Sequence, residues 1–204
     1  MNYNIFLSVH YDIVSERIMA LTEASSIIIW DAATNPCPII EELANDCIER
    51  CTCMTVVDLS FRGEDMNVDN RLLVIGGMNN GQLVHLKLNE KGKKVKLIQG
   101  HSAPVTKIVS NNELLEVYST ADDGVVKGWK VVTKFPTIGK KSPIELVPLF
   151  QFDIGRSCVS QWAFSPSLGG IGIGLDNRSL FMQKCEKNGK LKHWRKIFMT
   201  LTAQ

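Results

Sequence analysis

The chain has 204 residues, of which 45% are hydrophobic and 22% are charged, and its formal net charge is +2. This is the composition of an ordinary globular protein, and it excludes a disordered tail, a collagen-like fibre and a strongly basic nucleic-acid wrapper. The length allows a sizeable core, so we expect a single domain over residues 1–204.

Short runs rich in Val, Ile, Leu and aromatic residues recur along the whole chain and predict β-strands. Bounded by Gly, Asn, Asp or Pro, they are 5–11, 17–22, 26–30, 54–61, 72–76, 82–88, 105–109, 114–119, 125–131, 158–164, 170–174 and 179–184. Segment 39–50 has apolar residues at helical spacing, so it fits either a short helix or an outer strand followed by a loop. Asn79-Asn80-Gly81 and Asp122-Asp123-Gly124 tolerate the positive φ of tight hairpins, which predicts a hairpin at each.

Four segments repeat one pattern, in which a small residue begins the segment and a large apolar residue ends it. In three of them Asp or Asn lies six residues before the end, at Asn80, Asp123 and Asp176. The end positions are spaced 56, 43 and 53 residues apart: Trp30, Leu86, Trp129 and Met182. Each spacing fits a four-stranded unit with a variable loop, which predicts units at about 1–43, 44–98, 99–152 and 153–204.

The third unit opens with Gly100-His101, continues through Ser119 and Asp123, and closes with Trp129. This pattern closely resembles a blade of the WD-repeat β-propeller family. The resemblance implies an all-β fold of about four four-stranded antiparallel blades around a central axis. It also implies that His101, Ser119, Asp123 and Trp129 form a buried hydrogen-bonded set, in which imidazole, hydroxyl and indole donors satisfy the buried carboxylate.

Propellers of this family usually have seven blades, which at 40–45 residues per repeat needs about 300 residues. Four units therefore indicate an incomplete propeller, either a fragment or one completed by a partner. The alternative is a closed ring of four or five loosely spaced blades. An incomplete propeller leaves two apolar sheet faces exposed, so we expect it to associate with other protein subunits.

No catalytic motif or phosphate-binding loop stands in the sequence, so we expect neither an enzyme nor a cofactor. Cys51 and Cys53 precede a strand-like run, where we expect them to share one strand face as packing residues and to bind no metal. Six sparse cysteines and an N-terminus without a basic region predict an intracellular protein with reduced thiols and no transmembrane segment.

The resemblance implies a non-catalytic scaffold, a WD-repeat-like subunit that mediates protein–protein interactions within an intracellular multiprotein complex. Position in the loops makes Ser102, Pro104, Lys107 and Arg156 the candidate partner contacts. The alternative function is binding of nucleic acid or anionic lipid through a lysine-rich rim on the loops joining the third and fourth strands of each blade. The candidates for that rim are Lys91, Lys93, Lys94, Lys140, Lys141, Lys187 and Lys190.

Overall fold

The computed structural model describes residues 5–24, 26–44, 46–62, 71–88, 95–133, 144–155, 159–165, 170–175, 179–187 and 190–199. The first half of the described chain holds β1 (Phe6–Asp12), β2 (Arg17–Thr22), β3 (Ile27–Asp31), β4 (Ile39–Leu43), β5 (Cys51–Asp58), β6 (Leu72–Met78), β7 (Gln82–Lys87) and β8 (Val95–Gln99). The second half holds β9 (Val105–Asn111), β10 (Glu116–Ala121), β11 (Val125–Thr133), β12 (Ile144–Asp153), β13 (Val159–Ser165), β14 (Gly170–Leu175), β15 (Ser179–Lys187) and β16 (Lys190–Met199). Short 3-10 helices span Ile48–Arg50 and Leu59–Arg62.

These strands form four separate sheets, each made of four consecutive antiparallel strands in the order of the chain. We call them blades 1 to 4: β1–β4, β5–β8, β9–β12 and β13–β16. The prediction of an all-β chain built from four-stranded antiparallel units is therefore confirmed. In segment 39–50 the outer-strand alternative is the correct one, because β4 ends at Leu43 and only the last three residues form a 3-10 turn.

The blades pack face to face in sequence order, and each pair shares one apolar cluster. Met19 and Ile27 of blade 1 pack with Val56 and Val74 of blade 2. The next cluster joins blades 2 and 3, and the third joins blades 3 and 4. Strand β6 is buried along its whole length because neighbouring blades cover both of its faces. A strand in that position is a continuous apolar run, without the alternation of a half-exposed strand.

The first strands of blades 1, 2 and 3 lie side by side and are joined by short polar side chains. Met54 N–H donates to Ser8 Oγ at 3.0 Å, and Ser110 Oγ donates to the Val56 carbonyl at 2.8 Å. Asp58 N–H donates to Asn112 Oδ1 at 3.1 Å. These bonds satisfy backbone groups at positions where one blade meets the next, so the blade order is fixed by polar as well as apolar contacts.

The prediction that Cys51 and Cys53 share a strand face is wrong. A β-bulge lies between them, since Cys51 pairs with Met78 while Cys53 pairs with the adjacent Gly77. The extra residue, Thr52, shifts the alternation by one, so Cys51 packs toward blade 1 and Cys53 toward blade 3. Both remain packing residues, as the sequence suggested.

The four blades form an open array. The face of blade 1 that is turned away from blade 2 carries exposed Phe6, Val9 and Tyr11. The corresponding far face of blade 4 carries, among its described side chains, the exposed Gln161 and Ala163. Of the two exposed apolar faces that were expected, the described side chains show one, on blade 1.

Candidate interaction surface

Blade 3 contains a chain of hydrogen bonds that runs from its core to its surface. Trp129 Nε1–H donates to Ser119 Oγ at 2.9 Å, and Ser119 Oγ lies 2.8 Å from His101 Nε2. His101 Nδ1 lies 3.0 Å from an Asp123 carboxylate oxygen. Because the carboxylate only accepts, the imidazole is protonated at Nδ1 and its Nε2 accepts the serine proton. The structure thus joins all four residues that the motif singled out.

The Asp123 carboxylate also holds the loop of residues 100–104, in which Ser102 and Pro104 are exposed and which we call the presenting loop. Its Oδ2 accepts the backbone N–H of Ser102 at 3.0 Å, and its Oδ1 accepts the N–H of Val125 at 3.0 Å. Asp122 N–H donates to the Pro104 carbonyl at 3.0 Å. The buried chain and the presenting loop therefore share one carboxylate, so the loop's conformation is fixed by the core beneath it.

The tight turn of the preceding blade supports the same loop from its other side. The carbonyl of Gly81, a residue at φ +83°, accepts the N–H of His101 at 2.7 Å. A Cβ on Gly81 would lie 2.3 Å from the His101 carbonyl oxygen, so only glycine allows this approach. The contact repeats one blade later, where the carbonyl of Gly124 accepts the N–H of Ile154 at 2.8 Å.

Burial and hydrogen bonding set the protonation of this site. Burial lowers the pKa of His101 below its usual value, although the neighbouring Asp123 opposes the shift. For Asp123, burial favours the neutral acid, but the N–H donors of Ser102 and Val125 and the His101 ring outweigh it and lower the pKa. The pair at neutral pH is therefore a carboxylate beside a neutral imidazole.

A second polar cluster joins blades 1 and 2, and no sequence pattern predicted it. Arg71 donates to Asp12 of blade 1 and to Asp58 of blade 2, and all three side chains are at most 10% exposed. Ser15 also donates to Asp12, through its N–H at 3.0 Å. Despite burial, these donors lower the pKa of Asp12. Arg71 precedes an apolar strand as many solvated arginines do, which is why its sequence position carries no signal.

A groove of about 420 Å³ lies on the perimeter between blades 2 and 3. Its walls include Ile98, Trp129, Leu146 and Phe150, and Lys127 lies among them. The Lys127 ammonium donates to the carbonyl of Gly100, the first residue of the presenting loop. The groove and the presenting loop are therefore adjacent parts of one surface.

The remaining candidate residues fall into two groups. Ser102 and Pro104 are exposed on the presenting loop and Lys107 is half-buried nearby, whereas Arg156 lies outside the described residues. The rim lysines Lys91, Lys93, Lys94, Lys140 and Lys141 also lie outside them. Lys187 and Lys190 are described only as a backbone pair at the β15–β16 turn. Three of the four candidate contacts thus lie on or next to the presenting loop, whereas the structure describes no side chain of the rim lysines.

Among the described residues, no three His, Cys, Asp or Glu side chains converge as metal ligands would. Burial, with the nearby Cys53 and Cys47 adding to it, raises the pKa of Cys51 to about 12. Burial likewise raises the pKa of Cys53 to about 11, so both are protonated thiols at neutral pH. No helix within the part of the chain that is described has the length and apolarity needed to cross a membrane.

The fold has a counterpart among solved structures. The β-propeller domain of Myceliophteria thermophila Cps50 (Swd1) matches with a TM-score of 0.60 and 12% sequence identity. The match covers 88% of this chain and 57% of that chain, so this chain spans little more than half of the neighbour. No protein-family model matches the sequence, and no curated protein matches it. The likeness shows the fold: the described residues form an open β-propeller array of four blades.

Proposed function

We propose that this chain is a non-catalytic scaffold of WD-repeat type, a subunit of an intracellular multiprotein complex. Its presenting loop contacts another protein subunit, and its open blade faces associate with protein as well. The observation that carries the proposal is the double role of Asp123, which binds buried His101 and the backbone of exposed Ser102. A loop fixed in this way loses little conformational entropy on binding, which favours recognition of a partner.

Two further observations support the proposal. Hot spots at protein interfaces are typically aromatic or arginine side chains from the partner that enter preformed apolar pockets. The groove beside the presenting loop, with Trp129 and Phe150 in its walls, can accept such a side chain. Cys37, Cys47, Cys51 and Cys53 are free thiols, which suits an intracellular compartment.

The test is purification of the tagged chain from cells of its source, followed by quantitative mass spectrometry of the proteins that accompany it. Ser102→Arg places a bulky charge on the presenting loop. Ala33→Arg is the matched control, because Ala33 is exposed in the loop between β3 and β4, away from the presenting loop. We expect the wild type and Ala33→Arg to retain the same partner at fixed stoichiometry, and Ser102→Arg to lose it.

Salt separates this function from the lysine-rim alternative. Protein contacts made through apolar groups survive an increase in NaCl from about 0.05 to 0.2 M, whereas binding to nucleic acid falls by orders of magnitude over that range. Retention of the same partner by Ser102→Arg would count against the presenting loop. Recovery of nucleic acid or lipid alone, released by salt, would favour the alternative.

A further inference from the structure

The outward face of blade 1 exposes apolar side chains along its first strand. Phe6, Val9 and Tyr11 in β1 are 47%, 62% and 51% exposed. Val9 pairs with Ala20, and Ala20 pairs with Ile28, so the same face continues across β2 and β3, but Ala20 and Ile28 are buried at 1% and 4% exposure. The exposed apolar side chains on the first three strands of this face are therefore those of β1. Water-exposed apolar surface of this kind marks an interaction site. Blades 2 to 4 are each covered on this side by the blade before them, whereas the described residues include no blade before blade 1.

The outward face of blade 4 has the complementary shape. In β14, Ile171, Ile173 and Leu175 are buried against blade 3. The residues between them, Gly172 and Gly174, lie on the opposite side of the strand because side chains alternate. A Cβ on Gly172 would meet only Ala163, at 3.7 Å. The outward face of blade 4 therefore has little side-chain volume along its second strand, β14. The outward face of blade 1, in contrast, has large side chains along its first strand, β1.

The same kind of packing, with an apolar side chain of one blade over a glycine of the blade before it, already occurs between blades 2 and 3. Gly77 lies on the second strand of blade 2, and Val105 lies on the first strand of blade 3. A Cβ on Gly77 would be 2.4 Å from Val105 Cγ1, so the valine fills the space that the glycine leaves. An apolar side chain of a first strand thus packs over a glycine of the preceding blade's second strand.

We propose that a second copy of this chain covers the open faces. Blade 4 of one copy precedes blade 1 of the other, with the β1 side chains seated over the glycines of β14. Four blades from each copy give eight, which is within the range of closed propellers. A two-fold axis along the channel makes both contacts equivalent and closes the ring. The proposal rests on the scaffold function, since it names the partner of the open faces, but it does not involve the presenting loop.

The test uses the purified 204-residue chain alone, so its failure is distinguishable from loss of a partner at Ser102. Sedimentation at micromolar concentrations is expected to give twice the 22.8 kDa of one chain. Val9→Asp and Gly172→Lys each place an unpaired charge in both contacts of the ring. Each is expected to weaken dimerisation by at least about 100-fold. Circular dichroism and the unfolding midpoint of each variant check that the blades remain folded.

A mixture of the Val9→Asp and Gly172→Lys chains is the decisive experiment. A mixed pair has one wild-type contact and one contact in which the introduced carboxylate faces the introduced ammonium, so the dimer is expected to return. A back-to-back dimer through blade 1 alone would instead leave Gly172→Lys dimeric. That result, a monomeric wild type, a ladder of larger polymers, or a mixture that stays monomeric would each overturn the proposal.

Discussion

The backbone N–H of His101 donates a 2.7 Å hydrogen bond to the carbonyl oxygen of Gly81. Through it, the tight turn of blade 2 supports the first residues of blade 3, and the bond repeats between Gly124 and Ile154. Adjacent blades are therefore connected at their loops as well as through their apolar faces. This connection rests on glycines in the left-handed region, where other residues are strained.

Replacing Gly81 by alanine should destabilise the protein more than the same change at Gly155. Both glycines have positive φ, but a Cβ at Gly155 meets nothing within 4 Å, whereas at Gly81 it meets the His101 carbonyl. We expect a loss of about 1 kcal/mol for Gly155→Ala, from backbone strain alone, and a clearly larger loss for Gly81→Ala. Urea unfolding measures both, and equal losses would contradict the steric argument.

Replacing Ser119 by alanine should cost about 2–3 kcal/mol of folding free energy, because both Trp129 Nε1–H and His101 Nε2 are then buried without their partner. Trp129→Phe removes one of these orphaned groups, so the double variant should lose less than the sum of the two single variants. Strict additivity in urea unfolding would show that the two bonds are not coupled.

The protein should lose stability as the pH falls from about 7.5 to about 5.5. Burial lowers the pKa of His101, so the native state disfavours the proton that the unfolded chain binds near its ordinary pKa. The stability that His101 contributes is therefore complete above the pKa that His101 has in the unfolded chain, and it declines as the pH falls below that value. Burial shifts the pKa of His10 in the same direction.

Substitution of each histidine separates the two contributions to this pH dependence. His101→Asn should reduce the loss of unfolding free energy over that pH range, and His10→Asn should leave the His101 part in place. The measurement is urea unfolding at several pH values. An unchanged slope in His101→Asn would show that the His101 ring takes up its proton equally well in the folded protein.

Replacing Arg71 by methionine should cost about 3–5 kcal/mol, because it leaves the carboxylates of Asp12 and Asp58 buried without a counter-charge. Adding Asp12→Asn and Asp58→Asn should recover much of that loss. The matched control is Lys96→Met, which breaks the surface pair with Glu145 and should cost less than about 1 kcal/mol. A loss at Arg71 no larger than at Lys96 would mean that water reaches the cluster.

Thiol labelling of the native protein should modify Cys37 long before Cys51 or Cys53. Cys37 is exposed, whereas burial raises the pKa of Cys51 to about 12 and that of Cys53 to about 11. The thiolate is the reacting species, so both are protected at a pH of about 8 by protonation as well as by packing. Peptide mapping after timed labelling measures this, and early modification of Cys53 would show that blades 2 and 3 separate.

Local signals in the sequence predict the first three strands of each blade and the tight turns, but no predicted run covers the outer strands β8, β12 and β16. Gly81 and Gly124 stand where the chain needs positive φ, and apolar runs mark strands whether one or both faces are covered. The resemblance of the third unit names His101, Ser119, Asp123 and Trp129, which the structure places in one hydrogen-bonded chain. These features depend on residues close in sequence or on a motif with fixed spacing.

Contacts between blades could not be predicted in the same way. Arg71 reaches Asp12, which is 59 residues away, and nothing in their local sequence marks them as a pair. The alternation rule also failed for Cys51 and Cys53, because a bulge is a property of two paired strands and is not visible in one. Blade order and packing, rather than local propensity, determine both features.

The bulge at Thr52 makes this position the one in β5 where chain length can change at least cost. Deleting Thr52 would restore a regular ladder and leave Cys53 and every later side chain of the strand on its present face, at the expense of the bonds from Thr52 to Gly77 and Val105. Deleting a residue between 53 and 58 would instead exchange the two faces for part of the strand. Natural or engineered length variants of this blade are therefore expected to differ at residue 52.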